Sequence, residues 1–182
     1  ELTVEPTPVL LDQIRRGTLD AVFAALPASA DGIRSQALAP MEMVFVGNAQ
    51  QHRKRKYTLA DFAGTDILTF QRGSQPHVYL LDTLRHAQVE ARCVHTISSI
   101  SAMVQLVQGG FGVATLPRLA VQRMLAFPDL RVLACDTALR PLPIHVSYRE
   151  DPSSPAMEAV VRSALGFIDA QQPPAKVRTA RT

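Results

Sequence analysis

The chain has 182 residues, 47% of them hydrophobic and 19% charged, with a formal net charge of +3. That is enough apolar material for a real core, in one domain or two small lobes, and no apolar run is long enough to cross a bilayer. The charge is mild and sits mostly in one loop and the C-terminal tail, which gives no argument for a broad nucleic-acid surface.

Leu2-Thr3-Val4 reads as a strand. Thr7-Pro8 starts a helix, with threonine as cap and proline at the first helical position. Leu10, Leu11 and Ile14 face inward, and Gly17 ends the helix. Leu19 to Ala25 is nearly all apolar and predicts a strand buried on both faces. A loop runs from Pro27 to Gly32. Leu38 to Gly47 predicts one or two strands broken at Pro40, with Met43-Val44-Phe45-Val46 the stronger.

His52-Arg53-Lys54-Arg55-Lys56 is a basic run. It fits either a patch for nucleic acid or an acidic partner, or a solvated loop before a short Thr58-to-Ala63 helix. The loop is favoured, because no aromatic residues for base stacking are interleaved in it. Asp66 to Phe70 is a strand, Gln71-Arg72-Gly73-Ser74 a polar turn, and Pro76 lies near the start of a helix carrying Val78, Leu80, Leu81 and Leu84. Arg92 to His95 is the next strand.

Ser98 to Pro117 is the most informative stretch. Its serines can accept the first unpaired backbone N–H groups of a helix. Ile100, Met103, Val104 and Val107 make one apolar face, and Gly109-Gly110 stops the helix. Gly112 to Leu116 is a short buried strand of a parallel sheet, and Pro117 is placed to start a helix running to Ala126. Strands follow at Leu130 to Ala134 and Pro143 to Tyr148. Ser154-Pro155 opens a last helix with Val160, Val161, Ala164, Leu165 and Ile168 inward. Residues 171–182 are Pro-rich, basic and without apolar periodicity, so a disordered tail is expected. Cys93 and Cys135 have no metal or redox spacing; both fall in predicted strands, where buried reduced thiols are expected.

Serines, an apolar helix ending in V-x-x-G-x-G and a strand ending in Leu116-Pro117 resemble the effector-binding domain of LysR-type transcriptional regulators. A second segment, Leu11-Asp12-Gln13-Ile14-Arg15-Arg16-Gly17-Thr18-Leu19-Asp20, is similar to that family's L-x-x-G-x-L-D. The resemblance implies an α/β, periplasmic-binding-protein type II-like fold of two lobes around a ligand cleft. Lobe I is expected at residues 1–47 and 149–170 and lobe II at 48–148. In the family a further strand and helix precede the Leu2 strand, so the first lobe is expected to lack them here. The resemblance also implies a cytoplasmic homodimer or homotetramer. It would contact DNA only through an N-terminal winged helix-turn-helix outside this chain, with no membrane partner.

Ligands of α/β lobes bind at the carboxyl ends of strands, where helices begin. Three polar turns there offer hydroxyls, amides and free N–H groups at positive helix ends: Thr7, Gln71 to Ser74 (with Arg72), and Thr96 to Ser99. Converging, they would suit a small anion such as a carboxylate. The family's ligand contacts match Thr7, Gln71, Arg72, Ser74, Thr96, Ser98 and Ser99, with Phe23 or Ala24 lining the pocket. Taken singly, Thr7, Ser74, Ser98 and Ser99 read first as helix caps, and Arg72 equally as a solvated turn residue. No metal site, cofactor or catalytic motif is expected: the histidines have no ligand spacing, and no G-x-S-x-G, phosphate loop or H-E-x-x-H is present. The function implied is effector sensing within a transcriptional regulator. The alternative is a periplasmic solute-binding protein of the same fold.

Overall fold

The computed structural model describes residues 1–124, 129–150 and 155–171. Contacts divide the chain into two units, one of Glu1–Leu38 with the described residues from His145 onward, the other of Ala39–Ile144.

The first unit opens with α1, Thr7–Arg16. Leu11 and Ile14, three apart, are its buried face. Gly17 ends it at φ 77, a left-handed conformation that glycine adopts without a Cβ penalty. The Gly17 N–H returns to Ile14 at 3.1 Å and the Thr18 N–H to Gln13 at 3.0 Å. Strand β1, Ala21–Ala24, then runs antiparallel to β8, Leu142–Arg149, with Ala21 opposite Tyr148. The sheet is completed by β2, Ile33–Met41, in the order β1-β8-β2. Val22 and Ala24 pack with Leu11 and Ile14. Val146 and Tyr148 pack with Val161 of the C-terminal helix α5, Pro155–Gln171.

The second unit holds a five-stranded sheet in the order β5-β4-β6-β3-β7. Its strands are β3 (Met43–Asn48), β4 (Asp66–Thr69), β5 (Cys93–Thr96), β6 (Val113–Pro117) and β7 (Leu130–Leu133). β4 runs parallel to β5 and β6, whereas β3 is antiparallel to both β6 and β7. Period-2 alternation sorts its side chains. Met43, Phe45, Ile67 and Val113 face Tyr57, Phe62 and the helix α2, Gln75–His86, through Leu80 and Leu84. Val44, Val46, Leu68, Ala114 and Leu116 face Met103, Val104 and Val107 of α3, Ile100–Gln108, and Val121 of α4, Arg118–Met124. Each fully buried side chain of this kind is worth about 1.5–3 kcal/mol.

The three glycines of the V-x-x-G-x-G segment have separate tasks. Gly109 caps α3 in a right-handed conformation, and it is Gly110, at φ +78, that turns left-handed. A side chain at Gly112 would run into the backbone carbonyl of Asp66.

Several expectations are corrected. Leu2 and Val4 are 89% and 87% exposed and form no strand, because a strand needs a pairing partner and they have none among the described residues. The break between β2 and β3 falls at Glu42, not Pro40. β3 hydrogen-bonds to β6 and β7, so residues 39–47 belong with the second unit rather than lobe I. Residues 145–148 pair with β1 and join the first unit rather than lobe II. Thr58 to Ala63 forms only a 3-10 turn, Leu59–Phe62. Pro117 is the last residue of β6, paired with Met43, not the start of a helix. The sheet containing Gly112 to Leu116 is mixed, not purely parallel. Phe23 is 45% exposed, so β1 is not buried on both faces, and Val160 is 61% exposed. The expected helix end at 125–126, the side chain of Ile168 and the expected tail beyond 171 lie outside the described residues.

Candidate functional site

β4 and β5 are parallel neighbours in a register that sets Thr69 beside Thr96. The Ile97 N–H then bonds the Thr69 carbonyl at 2.8 Å. The turn after β4 (Gln71 to Ser74) and the segment after β5 (Thr96 to Ser99) therefore emerge side by side, about 4.8 Å apart at the strands. Helices α2 and α3 cover opposite faces of this sheet. The winding reverses at β4, which lies between β5 and β6, and open α/β sheets leave a crevice at such a point.

The turn after β4 is closed by the Ser74 N–H to the Gln71 carbonyl at 3.0 Å. Gly73 sits at φ +81, and its N–H donates to His77 Nδ1 at 3.3 Å. That bond leaves Nδ1 unprotonated, and burial, with the nearby Arg72 cation, holds the ring below the ordinary histidine range. Ser74 occupies the N-cap position of α2 but makes no cap bond. Its Oγ is buried and has no hydrogen-bond partner among the described residues. Gln71 and Arg72 are exposed.

The other candidates behave differently. The Ser99 Oγ accepts the Ala102 N–H at 3.3 Å and so caps α3. Ser98 and Thr96 are exposed. Thr7 does not cap α1, whose N-cap is Pro6. Instead its Oγ1 accepts the Ala25 N–H at 3.4 Å and ties the start of α1 to the end of β1. Phe23 projects from β1 in that same first unit, half exposed. The structure thus brings Gln71, Arg72, Ser74, Thr96, Ser98 and Ser99 to one sheet end of the second unit; Thr7 and Phe23 lie in the first unit.

Sequence reasoning gave little or no weight to three groups here. Thr69 and Thr115 are buried and joined hydroxyl to hydroxyl at 2.9 Å across β4 and β6. Beside them is a shallow depression lined by Met43, Pro76, Tyr79, Leu80, Thr115, Leu139 and Arg140. The Arg140 guanidinium lies 4.6 Å over the Tyr79 ring, a cation–π contact that fixes a positive charge at the rim. Arg140 lies in a loop with no helix or strand periodicity, so nothing local in the sequence pointed to it. Thr69 and Thr115 could have been singled out as the polar exceptions in apolar strands.

The cysteines depart from expectation. Cys93 is exposed on the edge strand β5, and Cys135 follows β7 at the opposite edge. Four strand spacings, about 19 Å, separate those edges, against the roughly 4.4–6.8 Å between Cα atoms that a disulfide needs. Burial pushes the Cys135 thiol up.

The second unit is thus an α/β sheet with paired helix-opening turns at one end. Residues 1–167 match the family described as LysR substrate binding domain. The chain belongs to that family. It is 24% identical over 157 residues to the HTH-type transcriptional regulator DgdR of Burkholderia cepacia, covering 86% of this chain and 49% of that protein. It is 32% identical over 120 residues to a probable hydrogen peroxide-inducible genes activator of Mycobacterium leprae, covering 64% of this chain and 38% of that protein. The chain thus spans about half or less of the length of these relatives. Among solved structures, the Synechocystis PCC6803 CcmR regulatory domain in complex with 2-PG superposes with a TM-score of 0.77 at 15% identity, covering 92% of this chain and 82% of that one. The regulatory domain of HypT from Salmonella typhimurium, in its apo form, gives 0.75 at 20% identity, covering 93% and 82%. Both carry the type II periplasmic-binding fold expected from the sequence. LysR effector domains belong to transcriptional regulators and bind small-molecule effectors. Among the described residues, no helix is long and apolar enough to cross a membrane.

Proposed function

We propose that this chain senses a small carboxylate through the helix-opening turns after β4 and β5, with Arg72 and Ser74 as its principal partners. The observation that carries this reading is the Ser74 hydroxyl, buried at the N-terminus of α2 without a hydrogen-bond partner. A buried hydroxyl left unpaired costs about 1–3 kcal/mol, and an anion at a helix N-terminus is the group that would satisfy it. Arg72, exposed beside it, supplies a fork for a carboxylate. Thr96, Ser98 and Ser99 add hydroxyls at the same sheet end, and Thr7 and Phe23 are the first unit's candidates.

In the whole protein, the ligand would work by binding one arrangement of the chain better than another. The shift would pass to an N-terminal winged helix-turn-helix in a cytoplasmic homodimer or homotetramer, with no chemical turnover of the ligand. The family match weighs against the solute-transport alternative.

The test is a calorimetric screen of small carboxylates against the wild-type chain, followed by variants. Ser74→Ala removes an unsatisfied group, so the ligand-free chain should be no less stable while ligand affinity falls about tenfold, or 1.4 kcal/mol. Thr7→Ala with Ser98→Ala should weaken binding further. Unchanged affinity in all three positions would remove this site assignment.

A further inference from the structure

The basic run His52–Lys56 was expected to be a solvated loop, but the structure clamps it at both ends. Asn48 Oδ1 accepts the Gln50 N–H at 2.8 Å, while its Nδ2 donates to the Gln108 carbonyl at 2.6 Å. The His52 N–H returns to the Asn48 carbonyl at 2.9 Å. Gly47 and Gly110 leave the spaces that the His52 ring and the Gln51 amide occupy, since a Cβ at either position would collide with them. Arg131 Nη1 donates to the His52 carbonyl at 3.1 Å. At the far end the Lys54 N–H donates to the Tyr57 hydroxyl at 3.1 Å. Tyr57 is itself buried, stacked on Phe62 and bridged to Cys135. A loop tied this way displays its charges in a fixed arrangement. Lys54 is neutralised by Asp61 at 2.6 Å, and Asp129 is engaged with Gln50. Arg53, Arg55 and Lys56 are exposed and have no acidic partner among the described residues, and neither has the half-buried Arg131.

The neighbourhood decides what partner this surface fits. Protein interfaces need buried aromatic or aliphatic anchors at their centre. Among the described residues none of the large exposed apolar side chains lies within residues 49–57; Phe111, 44% exposed, follows the Gly110 that meets the Gln51 amide, and sets its ring edge-on against His95. Single strands would need stacking platforms, and the aromatic residues that follow the basic run in the chain, Tyr57 and Phe62, are buried. Duplex DNA needs only fixed cations facing its phosphates. A domain of a transcriptional regulator is tethered close to its operator, where even a weak contact is populated through effective concentration. The geometry points to a sequence-independent contact with the duplex DNA backbone, made by Arg53, Arg55, Lys56 and Arg131.

The experiment is fluorescence anisotropy of a random-sequence duplex titrated with the full chain over a series of salt concentrations. Four phosphates neutralised predict a slope of log affinity against log salt of about −3.6, at about −0.9 each. The exposed-loop variant R53Q/R55Q/K56Q should melt at the wild-type temperature and bring the slope to about −0.9. A control variant, R15Q/R16Q/R85Q, removes the same charge elsewhere and should keep the wild-type slope. The proposal fails if the wild-type chain does not bind the duplex at low salt, or if the loop variant keeps its slope. It also fails if the control variant loses as much, which would reduce the effect to net charge. Competition by polyglutamate as effective as by duplex would likewise overturn the DNA assignment.

Discussion

The Ser99 side chain contributes one hydrogen bond to α3, accepted from the Ala102 N–H. Removing it should therefore cost what an N-cap is worth, about 1 kcal/mol in a Ser99→Ala variant followed by chemical denaturation. Ser74 holds the same position on α2 and makes no such bond, so the two alanine variants should part in sign or size. Sequence alone treats the two serines alike, because which way a hydroxyl turns depends on neighbours far along the chain. Two partly buried histidines, His52 and His77, carry the pH dependence. Burial lowers the pKa of His52 and, with the Arg72 charge, that of His77. A lowered folded pKa means that the unfolded chain takes up protons first as pH falls below about 6.5. Stability should be full above that pH and decline below it, and protonating His77 also breaks its bond from Gly73. Denaturation curves at pH 7.5 and 5.5 measure this, and H52Q/H77Q should flatten the difference.

Among the elements, α3 and β6 were legible because both signals are local: apolar spacing along one helix, then a continuous apolar run closed by Pro117. β3 was legible as a strand but not as a member of the second sheet, since its hydrogen-bond partners lie about seventy residues or more away, at Leu116 and Leu133. Leu2 and Val4 alternate as a strand would and yet stand exposed, because alternation specifies a face and not a partner. The turn motif itself makes a sharp demand at Gly112. A methyl group there meets the Asp66 backbone, which cannot swing aside as a side chain can. Gly112→Ala should lower the midpoint of unfolding by an amount equivalent to about 1–3 kcal/mol, the usual cost of overpacking. Gly64, where nothing lies within reach of a Cβ, is a comparison free of such crowding, carrying only the strain of its positive φ.

At the scale of the whole molecule, the family and its α/β architecture were readable from two short motifs in the right order. The boundaries between units were not, because they are set by which strands pair and not by composition. The candidate site was readable as three polar turns, of which the second unit gathers two; Arg140 and the buried threonine pair came only with the fold. The width of the five-stranded sheet also fixes the chemistry of its thiols. Cys93, exposed on one edge, should be alkylated by iodoacetamide well before Cys135, whose thiol is raised by burial on the other. Mild oxidation should leave both thiols titratable in the monomer, as a free-thiol assay would show.

The threonine pair beneath the depression has a consequence for selectivity. The Thr115 hydroxyl gives its hydrogen to Thr69 Oγ1, which leaves Thr115 only its lone pairs for any further neighbour. Where Thr115 meets the depression it therefore offers an acceptor and no donor. A group with an N–H or O–H could be received there, whereas a bare oxygen would find no hydrogen to accept. Discrimination by charge must come from charged groups, above all the Arg140 guanidinium at the rim.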